Sequence, residues 1–116
     1  MSEALDTRMV AALRGFGSEP GTLLRAMLHD FLTEGPSLMA EVERAADDEA
    51  YASVAGAAHR LRGSGGHIGA LQLALVAGEV EAAARNRVRE ATATATATAR
   101  TELDKAMAAA RELLRG

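Results

Sequence analysis

Apolar residues recur every three or four positions through most of this chain, the period at which side chains return to one face of an α-helix. Leu5, Met9, Ala12 and Leu13 outline a first short helix over residues 3–14, with Gly15 as its stop. Residues 15–21, with three glycines and a proline, read as a turn. Leu24, Met27, Leu28 and Phe31, then Leu38, Val42, Ala45 and Ala46, resume the spacing. Gly35-Pro36 falls inside that run. Proline removes a backbone hydrogen bond and crowds the turn before it, so the pattern predicts a kink near residues 32–36. The apolar phase is the same on both sides, which predicts one bent helix rather than two. Asp47-Asp48 reads as a break and N-cap. A third helix follows through Ser64, with Tyr51, Val54, Ala58 and Leu61 as its buried stripe. The chain turns after Gly63-Ser64-Gly65-Gly66, where Gly65 and Gly66 read as a helix stop. A fourth helix is predicted over residues 70–85. A fifth covers residues 88–114, with Leu103, Met107, Ala110 and Leu114 facing inward.

The alanine–threonine stretch at residues 91–98 alternates with the period of a strand. A strand here would have no partner, and even an isolated hairpin is marginal. Packing is expected to hold the stretch helical or leave it frayed at the helix start. Composition agrees with helices: 48% of residues are hydrophobic but only 3% aromatic, so the interior must be built from Leu, Val, Met and Ala. The 116 residues suit one domain spanning 1–116. The expected fold class is all-α, an antiparallel four-helix bundle with a short extra N-terminal helix over one end.

Several function classes fall away. With no cysteine, disulfide frameworks, thiolate metal sites and cysteine nucleophiles are excluded. The start, Met1-Ser2-Glu3-Ala4-Leu5-Asp6, lacks the basic and apolar regions of a signal peptide. No window approaches the roughly 20 apolar residues of a membrane span. A cytoplasmic address is expected. The net charge of −3 with mixed signs gives no nucleic-acid footprint.

The candidate chemistry lies on the third helix. At about 100° per residue, Tyr51, Ala58 and Leu61 fall within about 60° of Val54, and His59 points roughly 140° away, toward solvent. Its neighbours at three and four residues are Ala55, Gly56, Arg62 and Gly63, and Ala52 and Gly66 extend the face. Glycine inside a helix costs about 1 kcal/mol against alanine, and solvated faces ordinarily carry Glu, Lys and Gln. Bare backbone around a protruding imidazole lets another protein close onto the ring. Histidine is mostly neutral at pH 7 and can act as a nucleophile. Arg62 offers a permanent charge to phosphoryl oxygens. No acid–base partner for the ring, no Gly-rich nucleotide loop and no carboxylate cluster for Mg²⁺ is legible. The chain can carry a phosphoryl group but not extract one from ATP.

Ala58-His59-Arg60-Leu61-Arg62-Gly63-Ser64, followed by Ile68-Gly69-Ala70, resembles the signature of histidine-containing phosphotransfer (HPt) domains, His-x-Leu-Lys-Gly-Ser with Leu-Gly-Ala after it. Val80-Glu81 with Ala83-Ala84-Arg85 resembles the family's Leu-Glu segment, and residues 24–43 match in apolar pattern. The resemblance implies that His59 is the phosphoacceptor, on its outer ring nitrogen. Arg62 would replace the usual lysine, keeping charge but not reach or hydration. Gly63 would clear space for the partner, and Ser64 would orient the imidazole through a hydrogen bond. His67 stands where the family often has a small polar residue.

The remaining histidines read blandly. His29 lies roughly 140° from its helix's apolar stripe, and His59 with His67 lacks the ligands of a metal site. The implied role is a monomeric phosphoryl carrier rather than an enzyme, without cofactor or metal, exchanging phosphoryl groups with a receiver domain and a histidine kinase or hybrid kinase. No nucleic-acid or membrane partner is expected. The alternatives are an adaptor that binds a receiver or kinase through the His59 face without being phosphorylated, and the phosphoacceptor domain of a chemotaxis-type kinase.

Overall fold

The computed structural model describes residues 3–17 and 19–116, and every regular element among them is a helix. Met1 and Ser2 of the amino-terminal stretch and Ser18 of the expected first turn lie outside the described residues. The helices are α1 (Thr7–Arg14), α2 (Thr22–Asp47), α3 (Tyr51–His67), α4 (Leu71–Arg85) and α5 (Arg89–Arg115). Three connections of three residues each reverse the chain between α2 and α5, which makes successive helices antiparallel neighbours. α2 packs on α3, α3 on α4, α4 on α5, and α5 closes the ring on α2. This is the expected all-α four-helix bundle. Its 45 Å long axis is set by α2 and α5, since 26 or 27 residues at about 1.5 Å each span roughly 40 Å. Among the described residues, no helix is long and apolar enough to cross a membrane.

The three bundle turns share one closure. Ala50, Ala70 and Val88 each donate a backbone N–H to the carbonyl five residues back, at Ala45, Gly65 and Ala83, over 2.9, 2.9 and 3.0 Å. Such a closure needs a left-handed residue just inside it, supplied by Glu49 (φ 54°), Gly69 (φ 79°) and Arg87 (φ 57°). At position 69 space demands glycine as well. A Cβ there would lie 3.2 Å from the Cβ atoms of Asp6 and Met9. Asp6 also donates its N–H to the Gly69 carbonyl at 2.8 Å, which ties the amino-terminal segment to the α3–α4 end of the bundle.

Several expected boundaries move, each for a local reason. α1 begins at Thr7 rather than residue 3, because the Asp6 carboxylate caps the N–H groups of Arg8 and Met9. Its most buried residue is Val10, while Ala12 faces solvent. Asp47-Asp48 closes α2 instead of capping α3, whose N-cap is Ala50 with no side-chain hydrogen bond. α3 does not stop at Ser64: Gly65 and Gly66 are helical, and the helix runs to His67. Gly65 is buried against α4, where a Cβ would come within 3.1 Å of Leu73, so this glycine lets α3 and α4 approach.

α2 continues through Pro36 as one helix. The neighbouring Gly35 is buried against Leu103 of α5, where a Cβ would lie 3.0 Å from the leucine's methyl group. The Gly-Pro pair that read as an interruption is thus a place of close helix packing. The alanine–threonine stretch is helical throughout. A helix samples the alternation every fourth residue, so Thr92 and Thr96 turn inward while Thr94 and Thr98 stay exposed. The Thr92 hydroxyl donates to the Val88 carbonyl at 2.7 Å, which offsets the cost of burying it.

Candidate functional site

α3 presents His59 to solvent midway along the bundle, with 65% of its side chain exposed. The ring does not stand alone. Its Nδ1 lies 3.2 Å from Oε1 of Glu81 on α4, and Glu81 is only 8% exposed. Arg85, one turn further along α4, donates from Nη2 to Oε2 of the same carboxylate at 2.6 Å. Arg62 places its Nη1 3.6 Å from Oε1. One buried carboxylate therefore faces an imidazole and two guanidinium groups.

Burial pushes the Glu81 carboxyl up, but the hydrogen bond with His59, that with Arg85 and the nearby charges outweigh it and hold the carboxyl below its ordinary value of 4.5. At neutral pH it is a carboxylate and can only accept. In a neutral ring this pairing favours the proton on Nδ1 and leaves the lone pair on Nε2. No protein group hydrogen-bonds that second nitrogen among the described residues.

A group whose folded value is depressed stabilises the fold above its unfolded value and loses that contribution as pH falls through the folded one. Glu81→Gln removes this carboxyl while the other acids, including Glu43, held down chiefly by its hydrogen bond with Arg100, continue to titrate. The variant should melt below the parent at pH 7. The gap should narrow as pH falls below about 4.5, as read by thermal melts from neutral to acid pH. A gap that stays constant would mean that this carboxylate does not contribute through its charge.

The residues singled out by sequence separate on the fold. Gly56 and Gly63 are exposed, Gly66 is half-buried, and a Cβ on any of the three would meet nothing within 4 Å. With Ala52, also exposed, they leave a bare strip of α3 beside His59. Ala55 is not part of it. It is 6% exposed and belongs to the core, because it lies about 40° from His59 on the side of the wheel shared with Arg62, the side α4 covers. Arg62 packs along α4, with its Cδ near Gly78. Ser64 does not orient the imidazole: it makes no hydrogen bond to His59, and five residues on it lies roughly 140° around the helix. It lines a groove between α2 and α3 with Gly63, His67, Phe31 and Leu38. His67 occupies the last position of α3, eight residues or about 12 Å along the axis from His59, and His29 is exposed on α2.

Glu81 and Arg85, matched in sequence only as part of a family segment, are functional candidates to which the sequence assigned no role, and Glu81 is the partner for the ring that sequence did not reveal. A signal was present. Leu73, Val76, Ala77, Val80 and Ala84 form the buried stripe of α4, and Glu81 falls within it. A carboxylate on an apolar stripe is costly unless it is paired.

The family model for the Hpt domain matches residues 26–113, a span holding all of α3 and α4 and most of α2 and α5. The chain belongs to the Hpt domain family. No curated protein and no solved structure matches it. Hpt domains serve histidine phosphotransfer in phosphorelays, the signalling chains of two-component systems. In this Hpt domain, α1 lies outside the matched span and adds the cover tied down at Gly69.

Proposed function

We propose that this Hpt domain carries a phosphoryl group on Nε2 of His59, exchanging it with the aspartate of a receiver domain and with a histidine kinase or hybrid kinase. The observation that carries the reading is the Nδ1 contact with buried Glu81. Among the described residues, His59 is the histidine whose ring meets a carboxylate. The Nε2 lone pair attacks phosphorus of the receiver's aspartyl phosphate. An N–P bond forms as the bond from phosphorus to the carboxyl oxygen breaks, and the aspartate leaves as a carboxylate. The ring keeps its Nδ1 proton and becomes cationic, and Glu81 faces that developing charge as the carboxylate of a catalytic triad does. The receiver supplies Mg²⁺ and the acidic groups for the phosphoryl oxygens. The domain acts as a carrier and its partners as the catalysts.

The test is transfer of radioactive phosphate from a phosphorylated receiver or kinase, followed by mapping of the label. The reading expects an acid-labile, alkali-stable label on His59. A protein that binds its donor yet takes no label would be an adaptor. Arg62 stands one turn from the nucleophile with 56% of its side chain exposed, so its guanidinium can reach an arriving phosphoryl group. Arg62→Ala should slow single-turnover transfer up to about fivefold without abolishing it, because the electrostatic assistance of an exposed charge, worth about 1 kcal/mol or less, is lost and the nucleophile remains. Arg62→Lys should keep most of the rate. An alanine variant as fast as the parent would make Arg62 a bystander.

A further inference from the structure

The three contacts of Glu81 are unequal, and the inequality has a use. Oε2 is held by Arg85 at 2.6 Å, while Oε1 is shared between His59 at 3.2 Å and Arg62 at 3.6 Å. Arg85 follows Glu81 by four residues in the last turn of α4, so one helix sets the separation of that pair. Arg62 comes from α3, three residues beyond His59, and competes for the oxygen that serves the ring. A glutamate side chain has several rotatable bonds, and holding it in one geometry has an entropic cost. Without a clamp on Oε2, the carboxylate is free to turn from a neutral imidazole toward the full charge of Arg62, since hydrogen bonds between two ionised groups are the stronger kind.

We propose that Arg85 is a positioning residue for His59: it anchors Oε2 of Glu81 so that Oε1 stays on Nδ1, which keeps the ring proton there and Nε2 free to attack. The inference rests on His59 being the phosphoacceptor. Arg85 itself touches neither the ring nor the phosphoryl group. Without it, Arg62 becomes the nearest cation to Glu81, and the ring loses its acceptor. A ring with its proton on Nε2 has no lone pair at that position and cannot form the N–P bond.

The experiment uses the full chain with ¹⁵N-labelled histidine and compares the parent with Arg85→Ala and Arg85→Lys. Nitrogen chemical shifts of the neutral ring report which nitrogen bears the proton. Phosphoramidate, a donor too small to need docking, reports the rate of His59 labelling. The parent should hold the proton on Nδ1. Arg85→Ala should move population to the Nε2–H form and slow labelling about threefold to tenfold, the factor associated with one hydrogen bond. Arg85→Lys should restore both in large part, because an ammonium four residues on can still reach the carboxylate. Arg85→Ala should melt somewhat below the parent, because a buried carboxylate loses a hydrogen bond, and Arg85→Lys should recover part of the difference, so shifts and rates are read well below all three melts. Parent-like tautomer and rate in Arg85→Ala would overturn the proposal. So would equal slowing in both variants with no change of tautomer. If the parent itself takes no label on His59, the phosphoacceptor reading fails instead, and the nitrogen shifts still judge the clamp.

Discussion

A His59→Gln protein should take no label from a phosphorylated receiver, a kinase or phosphoramidate, while its helical content stays that of the parent. The effect is total because no other group can stand in. His29 and His67 lie elsewhere on the surface, and neither ring meets a carboxylate among the described residues. Stability should hardly move. His59 is largely exposed, and substitutions at such positions usually stay within about 0.5 kcal/mol. Glu81 keeps its contact with Arg85 when the imidazole is removed, so the change does not leave a buried charge without a partner. Melting by circular dichroism and labelling followed over time check both halves. Label retained by the variant, or mapped in the parent to His29 or His67, would end the assignment of His59.

The bundle was legible because its apolar residues repeat with the helical period, and because the resemblance around His59 agreed with that pattern. What escaped was mostly set by contacts between helices. Gly35 stood beside the proline expected to kink α2, and Gly65 read as a helix stop, since a glycine's own preference is against helix. Their value lies in the Leu103 and Leu73 side chains that pack where a Cβ would stand, and those partners are distant in sequence. Asp47-Asp48 has the chemistry of an N-cap, but the closure through Ala50 and Ala45 used the pair to end α2.

The site divided in the same way. A helical wheel placed His59, Gly56 and Gly63 correctly on the solvent side, since that follows from one helix alone. It could not show that α4 covers Ala55, only about 40° from the histidine on the wheel. Nor could it bring Glu81 to His59 across 22 residues. Ser64 was assigned from resemblance, and the geometry of α3 turns it toward α2 instead. Glu81 was the one readable omission, a charge on the apolar stripe of α4 whose partners had to come from another helix or from α4's own next turn.

Gly63 separates a helix defect from a docking surface, because the two readings agree on stability and disagree on function. A Cβ at this exposed position meets nothing within 4 Å, so a side chain can be added without strain. Replacing a mid-helix glycine with a good helix former gains up to about 1 kcal/mol, and Gly63→Gln should therefore melt no lower than the parent. If the glycine only spoils the helix, transfer is unchanged. If a partner must lie on the bare strip beside His59, a glutamine one turn from the ring holds that partner's surface off the nucleophile. Transfer from a phosphorylated receiver or kinase should then fall a hundredfold or more, since a displacement of about 1 Å at the reacting atoms can cost about that factor. Phosphoramidate needs no docking, and the variant should accept its phosphoryl group at close to the parent's rate, with Glu81 and Arg85 undisturbed. Loss with both donors would point to damage at the imidazole rather than exclusion of a partner. Unimpaired transfer from the protein donor would mean that the partner approaches from the other side, over Arg62 and α4.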